Sequence, residues 1–197
     1  MKIKFKYFAI AVGTAITLYV GYRIFANLIF TGSFEKKYTR KEAIENYNNN
    51  EKAIIDLIDY FNSKIPANRD VTFGLSKKKN RFNIGVALPD GAVNRNLPNI
   101  GGNDLKPNSD KANSILATLS WTNETVDTLR DKLEKADCIN IMGRNPVRIH
   151  YRYSGLGLHS YLIFDSPLTD STIKMYNSEL GDTVIRKNVV VLYTSSL

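Results

Sequence analysis

Both histidines of this chain, His150 and His159, lie in one stretch, RIHYRYSGLGLHSYLIFD, residues 148–165. Imidazole titrates near neutral pH and ligates metals, so two of them around a Gly-rich centre are the first place to look for chemistry. SGLG (154–157) reads as a hairpin turn. Pairing Tyr153 with Leu158 sets Tyr151 against Ser160, Ile149 against Leu162 and Val147 against Phe164. That register gathers the strongly apolar residues on one face, Ile163 excepted, and a slip of one residue would put half of them in water. The opposite face then carries Arg148, His150, Arg152, His159 and Tyr161. On it the histidines are diagonal neighbours, roughly 7 Å apart at the backbone.

These residue types limit what the face can do. Zinc takes three or four ligands, whereas here two imidazoles sit beside two guanidinium groups that repel a cation. Asp165 is at the far end of its strand. No metal and no cofactor are expected. Cys138 is the single cysteine, so no intrachain disulfide can form. It follows a helix at KADCINIM, where a small buried cysteine packs, and a Cys–His nucleophile is not supported. No residue is assigned a catalytic role. The arginines favour neutral histidines at pH 7. What remains is a cationic, hydrogen-bonding face suited to an acidic group on a partner, or simply to water.

The elements that must position this hairpin come before and after it. Thr39 and Glu42 form a T-x-x-E capping box, and apolar residues recur at Ile44, Tyr47, Ile54, Ile55, Ile58, Phe61 and Ile65 until Pro66 ends the helix. The polar run NYNNNE (46–51) interrupts the stripe and predicts exposed or bent first turns. VTFGL (71–75) and RFNIGVAL (81–88) alternate as strands around a solvated turn, SKKKN. In the second strand Phe82, Ile84, Val86 and Leu88 share one face, and Asn83, Gly85 and Ala87 the other.

Residues 89–113 hold three prolines, three glycines and six asparagines with no periodicity, which predicts a long loop. Its Gly-Gly lacks the spacing and the following Lys-Ser/Thr of a phosphate loop. Leu116, Leu119 and Trp121 read as core anchors. Thr122 or Asn123 caps a helix over 123–136 with Val126, Leu129, Leu133 and Ala136 inward. INIM, the two hairpin arms, STIKMY and VIRKNVVVLYT read as strands.

The N-terminal segment 7–30, KYFAIAVGTAITLYVGYRIFANLIF with its leading Lys6, has one interior charge, Arg23. It is long enough to span a hydrocarbon core about 30 Å thick if Arg23 snorkels outward. A cleaved signal peptide would need a small-residue cleavage site, and none better than TGS (31–33) follows. Lys2, Lys4 and Lys6 favour an N-terminus in the cytoplasm and the domain outside, although Lys36, Lys37, Arg40 and Lys41 sit on the other flank. These terms predict a single-pass inner-membrane protein with a periplasmic domain. Abundant Asn and Lys suit an AT-rich bacterial genome.

The organisation expected is an anchor (1–30), a linker (31–38) and one α+β domain (39–197), with helices packed on a curved, mainly antiparallel sheet. That order is similar to cystatin-like and cone folds, and to the layout of membrane-anchored periplasmic assembly subunits. The formal charge of +8 shrinks to +4 over residues 31–197, where 23 basic face 19 acidic side chains. No nucleic-acid module accompanies it, so nucleic acid is not an expected partner. The expected function is a non-catalytic interaction domain binding an acidic protein: an envelope or secretion-complex subunit, or an immunity-type protein. A small-ligand module, or an enzyme using a hairpin histidine, are the alternatives.

Overall fold

The computed structural model describes residues 14, 16–23, 37–87, 100–155, 157–179 and 182–195. Among these, no helix is long and apolar enough to cross a membrane. Most of the segment expected to span, residues 7–30, lies outside the described residues; of it, 16–23 are helical and exposed.

The domain is α+β. The helices are α1 (Arg40–Lys64), α2 (Asp110–Thr118), α3 (Asn123–Lys135) and α4 (Asp170–Ser178). The strands are β1 (Asp70–Leu75), β2 (Phe82–Ala87), β3 (Ile100–Leu105), β4 (Asn140–Met142), β5 (Val147–Ser154), β6 (Gly157–Ile163), β7 (Thr183–Arg186) and β8 (Val189–Ser195). They form one open sheet in the order β3-β2-β1-β4-β5-β6-β8-β7, with every pairing antiparallel.

Helix α1 starts where its capping box predicts: the Glu42 amide donates to Thr39 Oγ1 (3.2 Å), and the Thr39 amide donates to Glu42 Oε2 (2.8 Å). At the other end the Trp121 indole N–H donates to the Lys64 carbonyl (2.8 Å). The Arg144 guanidinium donates to the Ile65 and Pro66 carbonyls (both 2.6 Å). Orphan carbonyls at the helix terminus are thereby satisfied. Helix α1 lies against α3 and reaches β6 and β8; α3 covers β1, and α2 covers β3. Between helices and sheet lies the main core: Phe61, Phe73, Phe82, Trp121, Leu129, Leu133, Ile141 and Ile149 are buried there, with Phe73 stacked on Phe82 at 5.8 Å.

The polar run in α1 is not an exposed bend. Asn46 is buried because its side chain has partners. Its Nδ2 donates to Tyr161 Oη (2.9 Å) and the Ala136 carbonyl (3.4 Å), and its Oδ1 accepts from Asn50 Nδ2 (2.7 Å). The inner stripe is accordingly Ala43, Asn46, Tyr47, Ile54, Leu57 and Phe61, while Ile55 faces water. The expected loop 89–113 is shorter than its composition suggests. Residues 88–99 lie outside the described residues, but 100–105 form edge strand β3 and Ser109 caps α2. STIKMY is helix α4, not a strand: Thr169 Oγ1 accepts the Thr172 amide (3.3 Å), and this cap overrides the β-branched content.

The hairpin register departs from the expected one in its second half. Tyr153 pairs with Leu158 and Arg152 with His159 as expected. A bulge at Tyr151 then moves every later pair by one residue: His150 faces Ser160, Ile149 faces Tyr161, Arg148 faces Leu162 and Val147 faces Ile163. Two consecutive residues on β5 thus oppose one on β6. The bulge lets Tyr151 enter the core against Tyr38 (5.7 Å) and Tyr161 (6.2 Å) while Arg152 stays beside His159.

Candidate functional site

The bulge divides the five expected binding residues between the two faces of the sheet. Tyr161, His159 and Arg152 lie on the helix-covered face. Tyr161 is fully buried, and its hydroxyl donates to the Ala43 carbonyl (2.8 Å). Burial pushes its phenol pKa far up. His159 is 4% exposed, its Nε2 sits 3.0 Å from the Tyr38 carbonyl, and its ring packs on Tyr193 at 4.8 Å. Arg152 bonds to Asp137 at the end of α3. These three tie the hairpin to the helices.

Arg148 and His150 point to the other face. Pairing runs that face across the sheet in two adjacent rows. One is Gly101–Gly85–Thr72–Met142–Arg148–Leu162–Val190. The next is Gly74–Asn140–His150–Ser160–Leu192. Helix α4 closes the β6–β8–β7 end, where Leu162, Val190 and Leu192 form a second small core with Phe164, Leu168 and Tyr176. It stops there. Over β1 to β5 lies a groove of about 620 Å³, lined by Thr72, Gly85, Ala87, Gly101, Met142 and Arg148, with Asp70, Ile100, Pro146 and Leu162 at its margins.

The groove is shallow-floored because its central side chains are small. A Cβ on Gly101 would come within 2.8 Å of the Ile84 carbonyl oxygen, so close strand approach requires that glycine. Gly85 is different: an added Cβ would meet only Thr72 Cβ, at 3.8 Å, an ordinary contact. Nothing in the described structure demands glycine there. A strand glycine costs roughly 0.5–1 kcal/mol relative to alanine, and often marks a place where something approaches the backbone closely. The groove wall at β3 is held by Asp104, which accepts from Lys78 (2.7 Å), Ser76 (2.7 Å) and Arg81 (3.1 Å). The Lys78 and Ser76 hydrogen bonds hold its carboxyl below the usual range.

The polar groups beside the groove are unpaired. The Arg148 guanidinium makes no hydrogen bond or ion pair with any described residue, and neither does the Asp70 carboxylate. Ser160 is 1% exposed, yet its hydroxyl, like Asn140 Oδ1, has no partner among the described residues. Between them, burial first and Arg148 second lower the His150 pKa to about 4, so its ring is neutral at pH 7. The sequence anticipates neutral histidines but names only the arginines as the cause.

Neither histidine is hydrogen-bonded to a carboxylate among the described residues, and Cys138 is buried with its thiol pushed up to about 12 by desolvation. Among the described residues no cluster of His, Cys, Asp or Glu could hold a metal ion. Of the residues expected to bind, Arg148 and His150 lie on the groove side of the sheet; Gly85 and Gly101 were not among those expected. The small, polar face Asn83–Gly85–Ala87 opposite an apolar one was the available signal. No family model, curated protein or solved structure matches the chain.

Proposed function

We propose that this protein is a non-catalytic binding module whose working surface is the groove over β1 to β5, carried at a bacterial inner membrane by residues 7–30 with the domain on the periplasmic side. The observation that carries the reading is Gly85, a strand glycine that its neighbours do not require, at the floor of a 620 Å³ groove that α4 leaves uncovered. That volume falls within the roughly 300–1,000 Å³ of small-molecule sites, and its mixed lining of apolar side chains with a few polar groups is typical of them. A small ligand therefore fits this surface better than a protein interface does. Tethering rests on the length and hydropathy of 7–30, and the orientation on Lys2, Lys4 and Lys6.

Gly85→Val tests the binding surface. Valine suits a strand and would fill the groove floor, so the full chain should unfold at the same or a higher temperature. Saturation-transfer NMR with a set of soluble one-ring aromatics and short aliphatics should show a subset binding the parent chain and none binding the variant. Equal responses from both would rule this surface out.

A further inference from the structure

Arg148 is the feature the fold itself does not use. It projects from the middle of β5, partly buried, at the boundary between the groove and the α4-covered end of the sheet. Buried or half-buried guanidinium groups are ordinarily paired, because desolvating a charge without a counter-charge is costly. This one has no partner among the described residues, although Arg81, Arg130 and Arg152 in the same domain each reach a carboxylate. The adjacent row adds a neutral imidazole at His150 and the unpartnered hydroxyl of Ser160, both still able to donate.

Resting on the binding reading above, we infer that the groove takes a monocarboxylate with an apolar body, its carboxylate forked on Arg148. Guanidinium matches a carboxylate with two parallel N–H···O bonds, which gives orientation as well as attraction. The apolar body lies toward Met142, Thr72, Gly85 and Ala87, against Pro146. Asp70 lines the same groove and repels a doubly charged head such as a phosphate monoester more strongly than a singly charged carboxylate. His150 and Ser160 complete the head-group environment as neutral donors one row away.

The test uses the full chain in lipid nanodiscs, with empty nanodiscs as the blank, and isothermal titration with three matched probes. These are 4-phenylbutyrate, its neutral amide, and phenyl phosphate. The carboxylate should bind at least about tenfold tighter than the amide, the scale of a hydrogen-bonded charge pair. Phenyl phosphate should bind no better than the amide. Arg148→Gln should erase the preference for the acid and Arg148→Lys should keep part of it, with unfolding temperatures unchanged because Arg148 holds nothing in the fold. Equal binding of acid and amide, both lost in Gly85→Val, would overturn the carboxylate inference and leave the binding surface standing. Tighter binding of phenyl phosphate would overturn it too. No binding of any probe, with an equally silent Gly85→Val, would remove both.

Discussion

Tyr161→Phe tests the bulged register directly, because the two registers place the hydroxyl in opposite environments. In a straight hairpin it would stand on the outer face beside His150, in water. With the bulge it is buried, accepting from Asn46 Nδ2 at 2.9 Å and donating to the Ala43 carbonyl at 2.8 Å. Removing it takes the second donor from the Ala43 carbonyl, which keeps its intrahelical partner, and strands one of the two donors of a buried amide. Each lost bond costs about 0.5–1.5 kcal/mol, and a stranded buried group about 1–3. The ring keeps its packing against Tyr47 and Tyr151, so no cavity adds to the cost. About 2–3 kcal/mol follows, and for a domain of this size that lowers the unfolding temperature by roughly 5–10 °C. Thermal unfolding of the full chain by circular dichroism reads this out, with Tyr153→Phe as the exposed control. Asn46→Leu should cost less in the Tyr161→Phe background than alone, since the two groups share a bond. A Tyr161→Phe midpoint within about 1 °C of the parent would mean a solvated hydroxyl and would refute the bulge.

Two other outcomes are expected. His150 has a folded pKa near 4 against an ordinary 6.5, so its contribution to stability is complete above pH 6.5 and declines as pH falls toward 4. Each pH unit in that window removes at most about 1.4 kcal/mol, and His150→Gln should flatten the dependence of the urea midpoint on pH; parallel curves would show a solvated ring. His159, also lowered chiefly by burial, leaves a residual slope of the same sign in the variant. Expressed in a bacterial host, the full-length chain should remain with membranes through alkaline carbonate extraction, because 7–30 is a long, mainly apolar stretch with a single charge, Arg23. Recovery of a shortened, carbonate-released form would mean that the segment is a cleaved leader.

How much was legible in the sequence depended on whether local chemistry or tertiary fit decides an element. Thr39, Glu42 and Pro66 bound α1 by local chemistry, and Thr122 does the same for α3, so both helices could be read directly. Alternation alone placed β1 and β2, and their inward residues Phe73, Phe82, Ile84 and Val86 are buried as expected. Helix α4 was misread because Ser-Thr-Ile suits strands, although Thr169-Asp170 ahead of it is a cap signal. Edge strand β3 has almost no apolar alternation: it is held by the Asp104 cluster, whose members are 21 to 28 residues away in the chain. The bulge left no trace in the pattern, since YLIF (161–164) is an unbroken apolar run that offers a buried residue to either face. Only the room for Tyr151 under Tyr38 decides it.

The candidate site was half legible for the same reason. Arg148 and His150 were visible as residue types, but their partners on the face were chosen from the wrong register. Correcting it did more than remove three residues. It replaced a wet hairpin face by a sheet surface where several local rules fail together. A strand glycine sits where a side chain would fit, and among the described residues a half-buried arginine makes no ion pair and a buried hydroxyl has no partner. Elsewhere in the domain Arg81 has Asp104, Arg152 has Asp137, and buried Asn46 has three partners, although Asn62 Oδ1, Arg144 Nε and His159 Nδ1 are also buried without a partner among the described residues. Each exception alone is small, about a kilocalorie or so of forgone stability. Their coincidence on one stretch of sheet that no described helix covers is what a fold-only account leaves unexplained. A ligand that brings an anion to Arg148 and bulk to the space above Gly85 would remove two of the three at once.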